Sequence, residues 1–79
     1  MATVRYFAAA RAAAGVSEER LPAGTVAQLR SAMEQAHGER LAKVLAAATL
    51  LVDGIACRDH EAPLAPDATV DVLPPFAGG

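Results

Sequence analysis

The chain has 79 residues, is 53% hydrophobic and 20% charged, and carries a net charge of −2. A chain of this length forms one domain that buries little more than ~60% of its unfolded surface, so residues 1–79 are read as a single unit with one continuous core. The charge content is too low for a disordered chain, and the seven basic residues, scattered from Arg5 to Arg58, form no stripe that would track phosphates, which argues against a nucleic-acid partner.

Cys57 is the only cysteine, so no internal disulfide is possible, as suits a reducing compartment. The opening Met1 to Arg5 does not read as a signal segment, and no stretch approaches the ~20 apolar residues of a membrane span. A soluble, cytoplasmic protein without a membrane partner is expected. With one Tyr, two Phe and no Trp, its core must be built from alanine, leucine and valine.

Thr3 to Ala8 alternates Val4 and Tyr6 against Arg5 and Phe7, the pattern of a first strand. Ala8 to Ala14 has high helical propensity over two turns, and Gly15 can stop it. Val16 to Leu21 returns as a second strand, and its charged run Ser17-Glu18-Glu19-Arg20 fits an edge. After a turn at Pro22-Ala23-Gly24, Thr25 is the N-cap of the main helix, with Gln28 completing a capping-box pattern. Val26, Leu29, Met33 and Ala36 form one apolar stripe along that helix, which Gly38 ends. A shorter helix from Glu39 to about Ala46 repeats the pattern through Leu41, Val44 and Leu45.

Thr49 to Val52 is apolar on consecutive positions, as in a strand covered on both faces, and Asp53-Gly54 is the strongest hairpin signal in the chain. Ile55-Ala56-Cys57 is its partner strand. A turn-rich connection, Pro63 to Asp67, leads to the last strand, Thr69 to Leu73. Strands with one main helix to cover them make an α+β layer arrangement. The first and last strands are apolar enough to be central and the weakest are natural edges, so the expected architecture is a β-grasp, ubiquitin-like sheet of about five strands on that helix.

Beyond the last strand stand Pro74-Pro75-Phe76-Ala77-Gly78-Gly79. The prolines cannot continue a ladder and hold the exit extended, while the paired glycines leave backbone without side chains. Residues 74–79 are therefore expected to protrude as a tail of about 20 Å if fully extended. It is long enough to enter a deep cleft in another protein.

The segments Tyr6 to Gly15, Thr25 to Arg30, Val52-Asp53-Gly54 and Val72 to Gly79 together resemble the sulfur-carrier family of the MoaD and ThiS type, nearest its molybdopterin-synthase small-subunit branch. The resemblance covers the whole chain, and the two prolines, apolar residue, small residue and Gly-Gly form its most specific element. Asp67-Ala68 stands where many relatives carry Gly-Asp, and the segment after Arg11 is reduced to alanines.

The resemblance implies a non-catalytic, sulfur-donating subunit of a sulfurtransferase. Its Gly79 carboxylate is adenylated by a ubiquitin-activating-enzyme-like partner that uses ATP and magnesium, then converted to a thiocarboxylate by a sulfur donor protein. The sulfur passes to a cyclic pyranopterin precursor in the large synthase subunit during molybdenum cofactor biosynthesis. No cofactor is expected on this chain itself. Gly78 and Ala77 complete the tail, and Phe76, Pro75, Pro74, Leu73, Phe7 and Arg11 are the candidate docking residues.

Three other readings use the same residues: sulfur delivery to thiazole, cysteine or transfer RNA; a modifier joined through Gly79 to lysines; and a β-grasp interaction module with an inert tail. Cys57 and His60 have Cys-x-x-His spacing, but a zinc site needs three or four ligands, and His37 falls at the end of the main helix, where its charge would complement the dipole. Cys57 is read as a small strand residue, and Glu18 and Glu19 as solvated charge on opposite faces of the second strand.

Overall fold

The computed structural model of the chain describes residues 1–75. Among them the order is β1 (Ala2–Tyr6), α1 (Ala9–Ala14), β2 (Glu18–Leu21), α2 (Val26–His37), α3 (Glu39–Ala47), β3 (Thr49–Val52), β4 (Ile55–Cys57) and β5 (Thr69–Leu73). The strands form one sheet in the order β2-β1-β5-β3-β4. β1 and β5 run parallel at its centre, with Val4 opposite Val70 and Tyr6 opposite Val72. The other pairings are antiparallel. This is the expected β-grasp, with the two weakest strands at the edges. β1 ends two residues earlier than the pattern suggests, because the chain turns at Ala8, whose φ of 50° departs from extended backbone, and β2 begins two residues later, at Glu18.

Local chemistry fixes each element. Gly15 ends α1 with φ 79°, a left-handed conformation that suits glycine, and returns its amide to the Arg11 carbonyl at 2.9 Å. Thr25 caps α2 by accepting the Gln28 amide on Oγ1 at 3.2 Å. Gln28 reaches back in turn, although its Oε1 accepts from the Gly24 amide at 2.7 Å rather than from the cap residue itself. The first free amides of the helix go to the β4–β5 connection: Val26 donates to the Ala62 carbonyl at 3.0 Å and Ala27 to that of His60 at 2.8 Å. This loop, which reads only as turn-rich in the sequence, thus seals the helix N-terminus.

Asp53 and Gly54 both have positive φ, 49° and 87°, as a two-residue hairpin turn of this sequence requires. Asp53 also extends the β3–β5 pairing: its amide donates to the Thr69 carbonyl at 2.8 Å, and its Oδ1 accepts the Thr69 amide at 2.9 Å.

The core lies between the sheet and the helices. Val4, Val70 and Val72 from the central strands meet Leu29 and Met33 of α2 and Leu41 and Leu45 of α3, all essentially inaccessible. Two details of the pattern change. Ala36 is exposed, so the α2 stripe ends at Met33, and the half-buried His37 takes over the last turn. β3 is covered on one side: Leu50 is buried, whereas Thr49 is exposed and Leu51 and Val52 are half-buried. Leu29→Ala should cost about 2–5 kcal/mol of unfolding free energy, seen as a lower urea midpoint at constant slope. Ala36→Ser should change it by no more than about 0.5 kcal/mol.

Glu19 is not free solvated charge. It pairs with Val4 across the β1–β2 ladder, and its Oε2 accepts the Tyr6 hydroxyl at 2.6 Å and meets His37 Nε2. The Tyr6 and His37 rings also touch edge to face, with centroids 5.8 Å apart. One carboxylate thereby ties β1, β2 and the end of α2 together. Glu18, by contrast, is exposed as expected.

Burial, then the hydrogen bond and charge of Glu19, hold the Tyr6 phenol well above its ordinary range. The unfolded chain ionises this group near pH ~10 while the folded chain keeps it protonated, so its contribution to stability is full below that pH and is lost as pH rises. Wild type should therefore lose up to about 1.4 kcal/mol per pH unit relative to Tyr6→Phe above pH ~10. Since Tyr6 is the only tyrosine, phenolate absorbance reports it directly and should appear only with unfolding.

Candidate functional site

The central strand β5 leads into the tail. Val70 and Val72 point into the core, and Thr69, Asp71 and Leu73 alternate with them in half-buried positions. Leu73 lies opposite Thr49 of β3. On the other side the Phe7 amide donates to the Val72 carbonyl at 3.3 Å, continuing the β1–β5 pairing one step past Tyr6. The strand end is thus held from both flanks up to Leu73. Pro74 is half-buried and Pro75 exposed, and neither has an amide hydrogen to offer a further strand. The predicted Phe76, Ala77, Gly78 and Gly79 lie outside the described residues.

The sheet face turned away from the helices surrounds this exit. Arg5 and Asp71, neighbours across the parallel pair, join by two hydrogen bonds, Nε to Oδ1 at 2.6 Å and Nη2 to Oδ2 at 2.9 Å. The hydrogen bond and charge of Asp71 hold the Arg5 guanidinium above its ordinary range. Phe7 is 41% exposed, an uncommon position for a large apolar ring. Its amide contact with β5 brings Phe7 and Leu73 to the same strand ends, so two predicted docking residues are neighbours. Arg11 is exposed at a separate place, an open hollow of about 620 Å³ that it shares with Ala8, Ala12, Gly15, Val16 and Ser17.

The remaining candidates behave as strand and loop residues. The half-buried Cys57 donates its thiol to the Asp59 carbonyl, with Sγ 3.7 Å away. Among the described residues, no group of three or more His, Cys, Asp and Glu side chains is placed to hold a metal ion. No helix of the structure is long and apolar enough to cross a membrane. Sequence reasoning missed the Glu19 cluster, although a signal existed: Glu19 sits two residues before Leu21, and that spacing puts both on one face of a strand.

The ThiS family model matches residues 4–79. No curated protein is similar enough in sequence to count as a match. Among solved structures, a protein assigned as molybdopterin converting factor, subunit 1, from Pyrococcus furiosus is 29% identical with a TM-score of 0.80, over 95% of this chain and 97% of that one. The small archaeal modifier protein 1 of Methanosarcina acetivorans has a TM-score of 0.88 at 23% identity, over 99% and 95%. The complex of subunits 1 and 2 of molybdopterin-converting factor from Helicobacter pylori gives 0.76 at 20%, over 99% and 97%. Family match, sheet order and paired strand ends agree, and the chain belongs to the ThiS family of ubiquitin-like sulfur carriers and modifiers on a β-grasp fold.

Proposed function

We propose that this chain is the sulfur-carrying small subunit of a molybdopterin synthase. The observation that carries the reading is the exit of β5. A central strand, paired on both sides as far as Leu73, ends in two prolines, so the segment toward Gly79 starts from the most firmly held part of the sheet. The 29% identity to the Pyrococcus furiosus protein supports the molybdopterin branch, and the Helicobacter pylori complex supports engagement with a second subunit.

In this reading Gly79 supplies the reacting carboxylate and the catalytic side chains belong to partners. Carboxylate oxygen is a poor leaving group, so the acid must first be activated. It attacks the α-phosphorus of ATP in an adenylating partner that uses magnesium, and pyrophosphate departs. A sulfur donor, as a persulfide, then attacks the acyl carbon and displaces AMP, and cleavage of the sulfur–sulfur bond by a thiol leaves Gly79 as a thiocarboxylate. Its sulfur is a better nucleophile than the oxygen it replaces. Delivery to the pterin precursor in the large subunit returns a carboxylate after hydrolysis.

Gly78 and Gly79 suit a narrow channel because a Cβ would widen the tail and restrict its backbone. Phe7, Leu73, Pro74, Pro75 and Phe76 are the apolar docking residues of this reading, and Arg11 offers a separate cationic contact.

Incubation with an adenylating partner, ATP and a persulfide source should exchange one oxygen for one sulfur by intact mass. Deleting Gly79 should abolish the exchange while leaving the circular dichroism spectrum unchanged. The sulfurated chain and its large subunit should convert the pterin precursor to a dithiolene and release Gly79 as a carboxylate. Conjugates to lysine through Gly79, formed without pterin product, would make the chain a modifier instead. Phe76→Ala should weaken binding to the large subunit by about 1–3 kcal/mol with little change in melting temperature. A large fall in melting temperature at unchanged affinity would assign the ring to the domain's own core.

A further inference from the structure

A second hollow, of about 270 Å³, opens where α2 begins, α3 ends and β3 and β4 run side by side. Val26, Leu45 and Leu50 give it an apolar wall, Arg30 and Arg58 provide its cationic groups, and His60 lines it beside them. No Asp or Glu lines it, in a chain whose acids outnumber its arginines and lysines by 9 to 7. Among the described residues the side-chain ion pairs are Arg5–Asp71 and His37–Glu19, so neither Arg30 nor Arg58 has a carboxylate at pairing distance.

Backbone charges do not supply the missing anion. The end of α3 carries partial negative charge, but Arg30 Nη2 already donates to the Leu45 carbonyl there at 3.2 Å, a contact that also fixes the guanidinium. The start of α2 carries partial positive charge, and its first amides are bonded to the Ala62 and His60 carbonyls. The side chains therefore set the sign of the hollow. Arg30 and Arg58 line the same hollow without an anionic partner, and a planar or tetrahedral oxyanion accepts charge-assisted hydrogen bonds from guanidinium groups.

We propose that this hollow binds a small oxyanion group, a carboxylate or a phosphate. Thr49 lines it and lies opposite Leu73, so it opens at the end of the sheet from which the tail departs. The oxyanion is either free in solution or an acidic side chain of the protein that receives the tail. The site stands on its own residues and does not depend on the sulfur chemistry.

Amide chemical shifts of the nitrogen-15-labelled full chain test this during titration with sodium phosphate, sodium acetate and a short peptide containing two glutamates, against sodium chloride at matched ionic strength. The expected result is saturable movement of Thr49, Arg58 and His60 with at least one oxyanion and not with chloride. Tighter binding of the peptide than of acetate and phosphate identifies a protein carboxylate as the source, and the reverse order identifies a free anion. Arg58→Gln, at an exposed position, should weaken binding on the order of threefold to tenfold. Arg40→Gln, outside the hollow, should leave it unchanged. Shifts that fail to saturate, that chloride reproduces, or that persist undiminished in Arg58→Gln would overturn the proposal.

Discussion

The parallel pairing of β1 with β5 is the constraint on which the rest of the structure depends. It joins residues about as far apart as the chain permits, with Arg5 and Asp71 separated by 66 positions. Closing so long a loop costs entropy that no local element repays, so the pair forms only with the core beneath it. Val4, Val70 and Val72 supply that core from one face, while the Arg5–Asp71 contact fixes register on the other. β2 then adds to the free side of β1 and β3 to the free side of β5. The root of the tail is therefore a product of global folding, and a partner that reads strand ends next to Leu73 meets them only in the folded domain.

Much of this was legible because alternation and capping are local signals. The boundaries of α2 follow from Thr25, Gln28 and Gly38, the β3–β4 hairpin from Asp53-Gly54, and β5 from its β-branched run. The central place of β1 and β5 was inferred from their apolarity, and the structure agrees. Three features were not read correctly, each because it depends on a neighbour distant in sequence. Ala36 fits the helical stripe but extends past the sheet that would cover it. Glu19 belongs by composition to a charged edge, yet Tyr6 and His37 converge on it from two other elements. The apolar run Thr49 to Val52 suggests cover on both faces, yet only Leu50 is buried and Thr49 is exposed. As for the tail, Pro74 to Gly79 marked its place and the family resemblance implied its chemistry, and the structure adds the strand that leads into it.

The same arrangement suits what a carrier needs. A carrier must hold one reactive end away from its own surface and present a surface a partner can recognise. Ending a central strand with two prolines suits the first need, since neither residue has an amide hydrogen with which to continue the ladder. The exposed Phe7, beside Leu73 at the strand ends, is an apolar group suited to the second.

Carriers and modifiers share this fold because it supplies what both uses require, a firmly held strand end followed by a narrow tail. Similarity to a modifier from Methanosarcina acetivorans and to a subunit of a converting factor from Helicobacter pylori is therefore expected whichever role a chain performs. Selection between partners must come from the surface around the exit. There the Arg5–Asp71 pair neutralises its own charge beside the exposed Phe7 and the half-buried Leu73. Arg11 lines one hollow and Arg30 and Arg58 another, and neither hollow is lined by Asp or Glu. A partner with an apolar mouth and acidic margins complements that arrangement, whereas one with basic margins would be repelled before the tail could enter.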